Sequence, residues 1–516
     1  MATIRSLLPR PASIAVAILF ALFASTAPLR AQAPSNAWMF ATPSPSPGRA
    51  ASPKPDPTPR SPVQVDPATT HGTWQGWGTA LAWFAKTLGN RPDIADLLFT
   101  TGTVDFNGAK YPGLGLNIVR YNAGACSWNE VGGRKMVVSP HILPFRQMEG
   151  YWLDGLSDDP QSSSWNWNVD ANQRHLMQMA RDRGVTRFEL FSNSPMWWMC
   201  VDGNPSGAPK GADNNLSPAY YDKFAAYLAT IAKYAADHWG IDFTTVEPFN
   251  ESTSSFWSAN GRQEGCHFSH DVQAKVLPLL RAQLDNRGLA KTPISASDDN
   301  TYDQAVATWN SFPPDVKKVV DQVNVHGYQG GGGHRDLLAA ITSRDGKPVW
   351  NSEYGENDGT GLRLARNLDL DIRYLHVIAW NYWQPFDGGG WGWFESDVPN
   401  AKIGPVNAKF YVVAQYTRHI RPGMTIMDTG DIDTVAAYDP KARKLVLVIR
   451  GDAAGSKTID LSKFGSASGP VTRWITEPKA AARYEMHQDA AVTGGKLTVS
   501  LPANCVETFE IENVTL

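Results

Sequence analysis

Short runs of β-branched and aromatic residues alternate with stretches of helical periodicity from about residue 74 to residue 405. The β-type runs are "GWGTAL", "LGLNIVRYN" (Leu114 to Asn122), "RFELFS", "TTVEPFN", "PISAS", "QVNVHGY", "KPVWNSEYG" and "VIAWNYW". Between them, helix-like stretches cover 220–239, 269–286, 303–312, 335–343 and 361–374. Strand, helix, strand repeated in this way builds a parallel sheet, since each crossover returns the chain to the same edge. Eight runs are the number a (β/α)8 TIM barrel needs. An open doubly wound sheet is the competing arrangement. It finds no support, because no GxGxxG follows the first run and no GxxxxGK occurs in the chain.

Beyond "KFYVVAQYTRHI", the last barrel helix, the period shortens. "DTVAAYD", "KLVLVIRG", "KTIDLS", "KLTVSLP" and "VETFEIENV" predict an attached all-β sandwich domain. The expected division is a barrel over 63–405, then the last barrel helix and C-terminal sandwich over 406–516. Residues 63–73 are candidates to add a strand to the β-domain, because chain ends often lie close together. Ahead of these, Arg5 and Arg10 precede the apolar run "SIAVAILFALFAS", and small residues with "AQA" at Ala31 to Ala33 follow. Residues 1–33 therefore read as a signal peptide, its apolar run short for a membrane span. Residues 34–62 read as an extended Pro/Ser-rich linker. A secreted or periplasmic protein, free of the membrane once the signal is removed, is expected.

Composition narrows the chemistry. Hydrophobic residues at 42% and charged residues at 19% describe a folded chain. A net charge of -3 offers nothing to nucleic acid or to an anionic membrane. Nineteen tryptophans are many, and the flat indole face suits a sugar ring as well as a core. The four cysteines, Cys126, Cys200, Cys266 and Cys505, allow three complete pairings in an exported protein. "CHFSH" brings Cys266, His267 and His270 together, but no second ligand pair follows at zinc-site spacing. Neither a metal nor an organic cofactor is expected.

In a (β/α)8 barrel the active site lies where the strands end. Here the runs close on Trp77 and Gly78, Arg120 and Asn122, Ser192 to Trp198, Asn250 and Glu251, Asp298 and Asp299, His326 and Tyr328, Glu353, and Trp383 with Gln384. Within "VEPFNES", Pro248 ends the strand because it has no N–H to donate. Glu251 then falls at the mouth and Glu247 below it. Glu353, in "WNSEYG", closes the seventh run, opposite the fourth. Two carboxylates so placed could flank one glycosidic bond, one protonated and the other ionised. Glu356, three residues on, is a weaker competitor.

Several motifs in order carry a resemblance: "GWGTALAWFA", "LGLNIVRYN", "FSNSPMWWM", "EPFNES", "QEGCHF", "VHGY" and "WNSEYG". Together they resemble glycoside hydrolase family 30 of the retaining clan A glycosidases, most closely its β-1,6-galactanase branch. The resemblance implies Glu251 as general acid/base, Glu353 as nucleophile and Asn250 as the holder of the sugar 2-hydroxyl. Arg120 would keep the nucleophile ionised, His326 and Tyr328 would bond the nucleophile or substrate, and Trp383 would floor the sugar. Trp77 and Asn122 complete the expected substrate-binding set. A disulfide between Cys200 and Cys266 across the mouth is a further expectation. The implied partner is a galactan side chain of arabinogalactan. A β-1,6-glucanase, glucuronoxylanase or glucosylceramidase-like activity and a non-catalytic sugar binder are the alternatives.

Overall fold

Alternation along each strand decides what this fold buries. In the computed structural model, which describes residues 62–516, eight strands form one parallel sheet: β1 Gly76–Ala80, β2 Ile118–Asn122, β3 Arg187–Phe191, β4 Thr245–Glu247, β5 Ser295–Asp299, β6 Gln322–His326, β7 Val349–Tyr354 and β8 Ala379–Tyr382. The sheet closes between β4 and β5, where Val246 N donates to Pro293 O at 3.0 Å. Val119 and Tyr121 of β2, and Phe188 and Leu190 of β3, face outward into the helical layer. Ile118, Trp350 and Ala379 pack together at the bottom of the interior. Ala80, Phe191 and Trp383 cluster at its top. Between these layers the interior is ionic. The expected signal segment, and all but the last residue of the expected linker, lie outside the described residues. Among the described residues, no helix is long and apolar enough to cross a membrane.

The helices at Tyr221–Tyr234, His270–Asn286, Tyr302–Ser311, Arg335–Arg344 and Leu362–Leu370 fall on the stretches read as helical. One between β2 and β3, Ala171–Asp182, escaped the sequence pattern. Its sequence "ANQRHLMQMARD" is polar, yet Leu176, Met177, Met179 and Ala180 bury one face. A stripe that narrow suffices when a barrel supplies the opposing surface.

The C-terminal region forms a seven-stranded antiparallel sheet and a smaller four-stranded one. In Lys444–Gly451, Leu445, Leu447 and Ile449 enter the core between these sheets. Val446 and Val448 of the same strand join the core around the barrel. The centre of the larger sheet is therefore buried on both faces, and barrel and sheet share an apolar seam. Asp66–Thr73, ahead of β1, pairs antiparallel with Thr425–Asp428 at the edge of this sheet. Val63–Gln64 pairs with Gly455–Asp460 of the smaller one.

Polar contacts fix the seam. Arg450 is buried and donates to Asp369 of the Leu362–Leu370 helix at 3.0 Å, with Asp433 and Asp452 on its other nitrogens. Thr508 Oγ1 donates to Gln415 Oε1 at 2.6 Å. Removing one member of a buried ion pair strands the other. Arg450→Ala is therefore expected to destabilise the protein by about 3–5 kcal/mol in denaturant unfolding. The apolar seam further predicts one unfolding transition for barrel and sheet together.

Candidate functional site

The short strand β4 settles which of its two glutamates faces a ligand. Thr245 and Glu247 point inward, and Thr245 Oγ1 donates to Glu189 Oε2 at 2.8 Å. Glu247 is fully buried beneath the mouth, where burial, with Asp298 and Glu189 nearby, holds its carboxyl well above the usual range. Pro248 ends the strand, and Glu251 lies past it with φ +48°. A left-handed backbone costs a non-glycine residue about 1 kcal/mol. Three hydrogen bonds hold it there: Glu251 N donates to Asp298 O at 2.7 Å, while Glu251 O accepts from Ser254 N and from Trp257 Nε1, each at 2.9 Å. Its side-chain Oε1 accepts from Asn300 Nδ2 at 2.6 Å.

Glu353 comes from β7, where the pairing register slips between Asn351 and Tyr354. The slip lets Ser352 and Glu353 both reach the interior. Ser352 Oγ donates to Asp298 Oδ1 at 2.5 Å. Tyr328 OH donates to Glu353 Oε1 at 2.7 Å, and Arg120 donates to Glu353 Oε2 at 3.1 Å. His326 completes the group: its Nδ1 is 3.1 Å from Glu251 Oε1 and 3.6 Å from Glu353 Oε1, and its Nε2 is 3.5 Å from Asp298. A single ligand atom of each of Glu251, His326 and Glu353 lies within 4.8 Å of the others.

Electrostatics follow from burial. Arg120 binds Glu189 at 2.8 Å and also Asp298 and Glu353, and it remains charged despite burial because three carboxylates surround it. Burial works against the charged form of Asp298, but Arg120 and His326 hold its carboxyl below the usual value. Burial raises Glu353, while His326 and Arg120 pull it back without restoring the ordinary value. For His326, burial favours the neutral ring, but Glu353 and Asp298 outweigh it and raise the pKa to about 10. A cation would reach the Glu251–His326–Glu353 trio only by displacing the proton on His326.

Arg120, Asn250, Glu251, His326, Tyr328 and Glu353 gather at the mouth, with Trp383 in the aromatic cluster under it. Two expected members do not join them. Trp77 points outward: its Nε1 donates to Ile420 O at 2.6 Å and its ring packs on Trp74 and Tyr416. Alternation from Gly78 and Ala80, which face the interior, forces this. Asn122 faces inward but is fully buried in the barrel wall, its Nδ2 donating to Glu264 Oε2 at 3.2 Å and its Oδ1 accepting from Asn193 N at 3.2 Å.

The expected Cys200–Cys266 disulfide is absent, and all four cysteines are free, buried thiols. Cys200 Sγ is instead turned to Pro195 O and Met196 O, each at 3.8 Å, and Cys266 Sγ to His267 O at 3.5 Å. The "CHFSH" residues diverge, with His267 on Ser254 O and His270 on Thr308. Glu356 is bound by buried Lys409 at 3.0 Å and by Arg363 at 3.1 Å, which removes it as a rival to Glu353. Sequence reasoning missed Glu189 and the structural part played by Asp298. Their only signal was an acidic residue at an inward-facing strand position.

Because the folded pKa of His326 lies above the ordinary 6.5, its stabilising charge is complete below about pH 6.5 and is lost as pH rises through about 10. Melting temperature should therefore decline across that window. The decline should flatten in His326→Gln, which has no proton to lose.

Comparison with known proteins follows the same geometry. The family model "O-Glycosyl hydrolase family 30" matches residues 60–324. An endo-beta-1,6-galactanase of Hypocrea rufa is 48% identical over 458 residues, covering 88% of this chain and 95% of that protein. An exo-beta-1,6-galactobiohydrolase of Bifidobacterium longum subsp. longum is 22% identical, covering 86% of this chain and 39% of that protein. The catalytic domain of GH30 xylanase C from Talaromyces cellulolyticus shares the fold, with a TM-score of 0.65 at 19% identity, over 87% of this chain and all (100%) of that one. With the family model matching half of the chain, 60–324, and a relative this similar over nearly its whole length, the chain belongs to O-glycosyl hydrolase family 30 and is a glycoside hydrolase.

Proposed function

We propose that this enzyme hydrolyses β-1,6-galactosidic linkages within galactan side chains of arabinogalactan, retains anomeric configuration and acts outside the cytoplasm. The observation that carries the mechanism is the pair of buried glutamates at the ends of β4 and β7, with an oxygen of each within 4.8 Å. Retaining glycosidases hold their carboxyl groups about 5–5.5 Å apart, whereas inverting ones leave about 6.5–9.5 Å for a water. The substrate and its internal cleavage are supported by the 48% identity to the Hypocrea rufa endo-beta-1,6-galactanase. The apolar run after Arg10 supports export.

In this reading Glu353 Oε attacks the anomeric carbon while Glu251 delivers its proton to the departing glycosidic oxygen. A galactosyl ester on Glu353 results. Water, losing a proton to Glu251, then displaces Glu353 and leaves the product in its original configuration. Tyr328 OH fixes the attacking carboxylate by its 2.7 Å bond to Oε1. Asn250 Oδ1 is buried and has no protein partner, so it is open to a sugar hydroxyl. Trp383 supplies an apolar floor.

The test is to incubate the enzyme separately with de-arabinosylated arabinogalactan, β-1,6-glucan and glucuronoxylan, following products over time and their first-formed anomer by NMR. Galactan should yield short β-1,6-galacto-oligosaccharides with the β-anomer first. Cleavage of xylan alone would overturn the substrate, and an α-anomer formed first would overturn the mechanism. Glu353→Gln should lower kcat by roughly a thousandfold or more while still binding galacto-oligosaccharides in calorimetry.

A further inference from the structure

Buried polar groups almost always find hydrogen-bond partners, so one at a substrate mouth that finds none marks where a ligand group belongs. Asn193 is such a residue. It follows β3, is 1% exposed, and neither its Nδ2 nor its Oδ1 has a protein partner.

Its place follows from the strand. Glu189 binds Arg120 from inside the barrel, and the Phe191 ring lies 4.2 Å from the Arg120 guanidinium. Side chains at i, i+2 and i+4 share a face. Asn193 stands two residues past the end of this inward set, in the bend that carries the chain from β3 to the mouth. Its backbone is pinned, because Asn193 N donates to Asn122 Oδ1 at 3.2 Å, and Ser192 Oγ beside it donates to Ser194 O at 2.9 Å.

Two other buried groups at this mouth also lack protein partners, Asn250 Oδ1 and Trp83 Nε1. Trp83 stands edge-on to Trp383, their rings 5.0 Å apart, in the same aromatic cluster as Phe191. The open groups thus lie on segments that meet at one mouth: Trp83 in the cluster with Phe191 and Trp383, Asn193 two residues past Phe191, and Asn250 next to Glu251. An amide offers a donor and an acceptor side by side, and neighbouring hydroxyls of a pyranose present the complementary pair.

We infer that Asn193 is a further substrate-binding residue, donating through Nδ2 to one hydroxyl and accepting through Oδ1 from its neighbour on the glycosyl unit held between Glu251 and Glu353. The inference rests on the galactanase reading above. It also explains a cost: the free enzyme carries a buried amide that only substrate satisfies.

The experiment compares wild type, Asn193→Leu and Asn193→Ala on β-1,6-galactotetraose, with melting temperatures measured alongside. Asn193→Leu, of similar size and apolar, should lower kcat/KM by roughly 10- to 100-fold. Its melting temperature should equal or exceed that of wild type, since no hydrogen bond is lost on the free enzyme. Asn193→Ala should show a comparable kinetic loss. Stabilisation by galactobiose in thermal shift should shrink in both variants. Wild-type kcat/KM in the leucine variant would overturn the inference. So would a kinetic loss matched by lowered melting temperatures in both variants, which would make Asn193 structural. A wild type inactive on galactan but active on β-1,6-glucan would overturn the galactanase reading instead, and the same variants would then be compared on that glucan.

Discussion

A single guanidinium, Arg120, sits fully buried inside the barrel, and the polar interior is organised to keep it charged. An isolated charge in such a place is prohibitively unfavourable. Three carboxylates from three strands, Glu189, Asp298 and Glu353, answer it, and Phe191 lies flat against it. Each strand is thereby tied to the same cation. Asp298 carries the tie further, because its backbone oxygen holds Glu251 N and its side chain meets His326 and Ser352. The positions of both mouth glutamates are consequences of how one buried charge is neutralised.

The same arrangement bears on the proposed double displacement. Glu251 and Glu353 carry one negative charge between them in each half of that cycle: first on Glu353, then on Glu251 once its proton has left with the departing sugar and Glu353 is esterified. One negative charge moves from one side of the site to the other. His326 lies within reach of both, and with a pKa of about 10 it stays cationic at neutral pH. A fixed positive charge between two sites stabilises the anion at either, so the protein does not have to reorganise as the charge crosses.

The barrel was legible because its strands and helices carry different periods, and Glu251 because proline cannot continue a strand. What failed was direction. Trp77 stands in an inviting motif, "GWG", yet one step of alternation turns it to the helices. Asn122 faces inward, but nothing in its own segment reveals that Glu264, far along the chain, accepts from its amide. Glu356 looked like a rival to Glu353 because Lys409, its partner, lies beyond the barrel strands. Glu189 passed unremarked within "RFELFS", and Asp298 stood only as a residue closing its run, since a period-two rule assumes an oily interior. Trp77 apart, each miss is a long-range pairing, and local pattern holds no information about it.

The edge strand Asp66–Thr73 has a bearing on how the chain is made. A ribosome delivers it before any barrel strand, but its neighbour Thr425–Asp428 comes after all eight. Its hydrogen-bonding edge must therefore wait, unpaired, through synthesis of the entire catalytic body, and contacts of such long sequence separation are slow to form. Termination before the final hundred residues would strand it permanently. The enzyme is thus committed to maturing late, as a finished chain rather than as a barrel that later acquires an appendage.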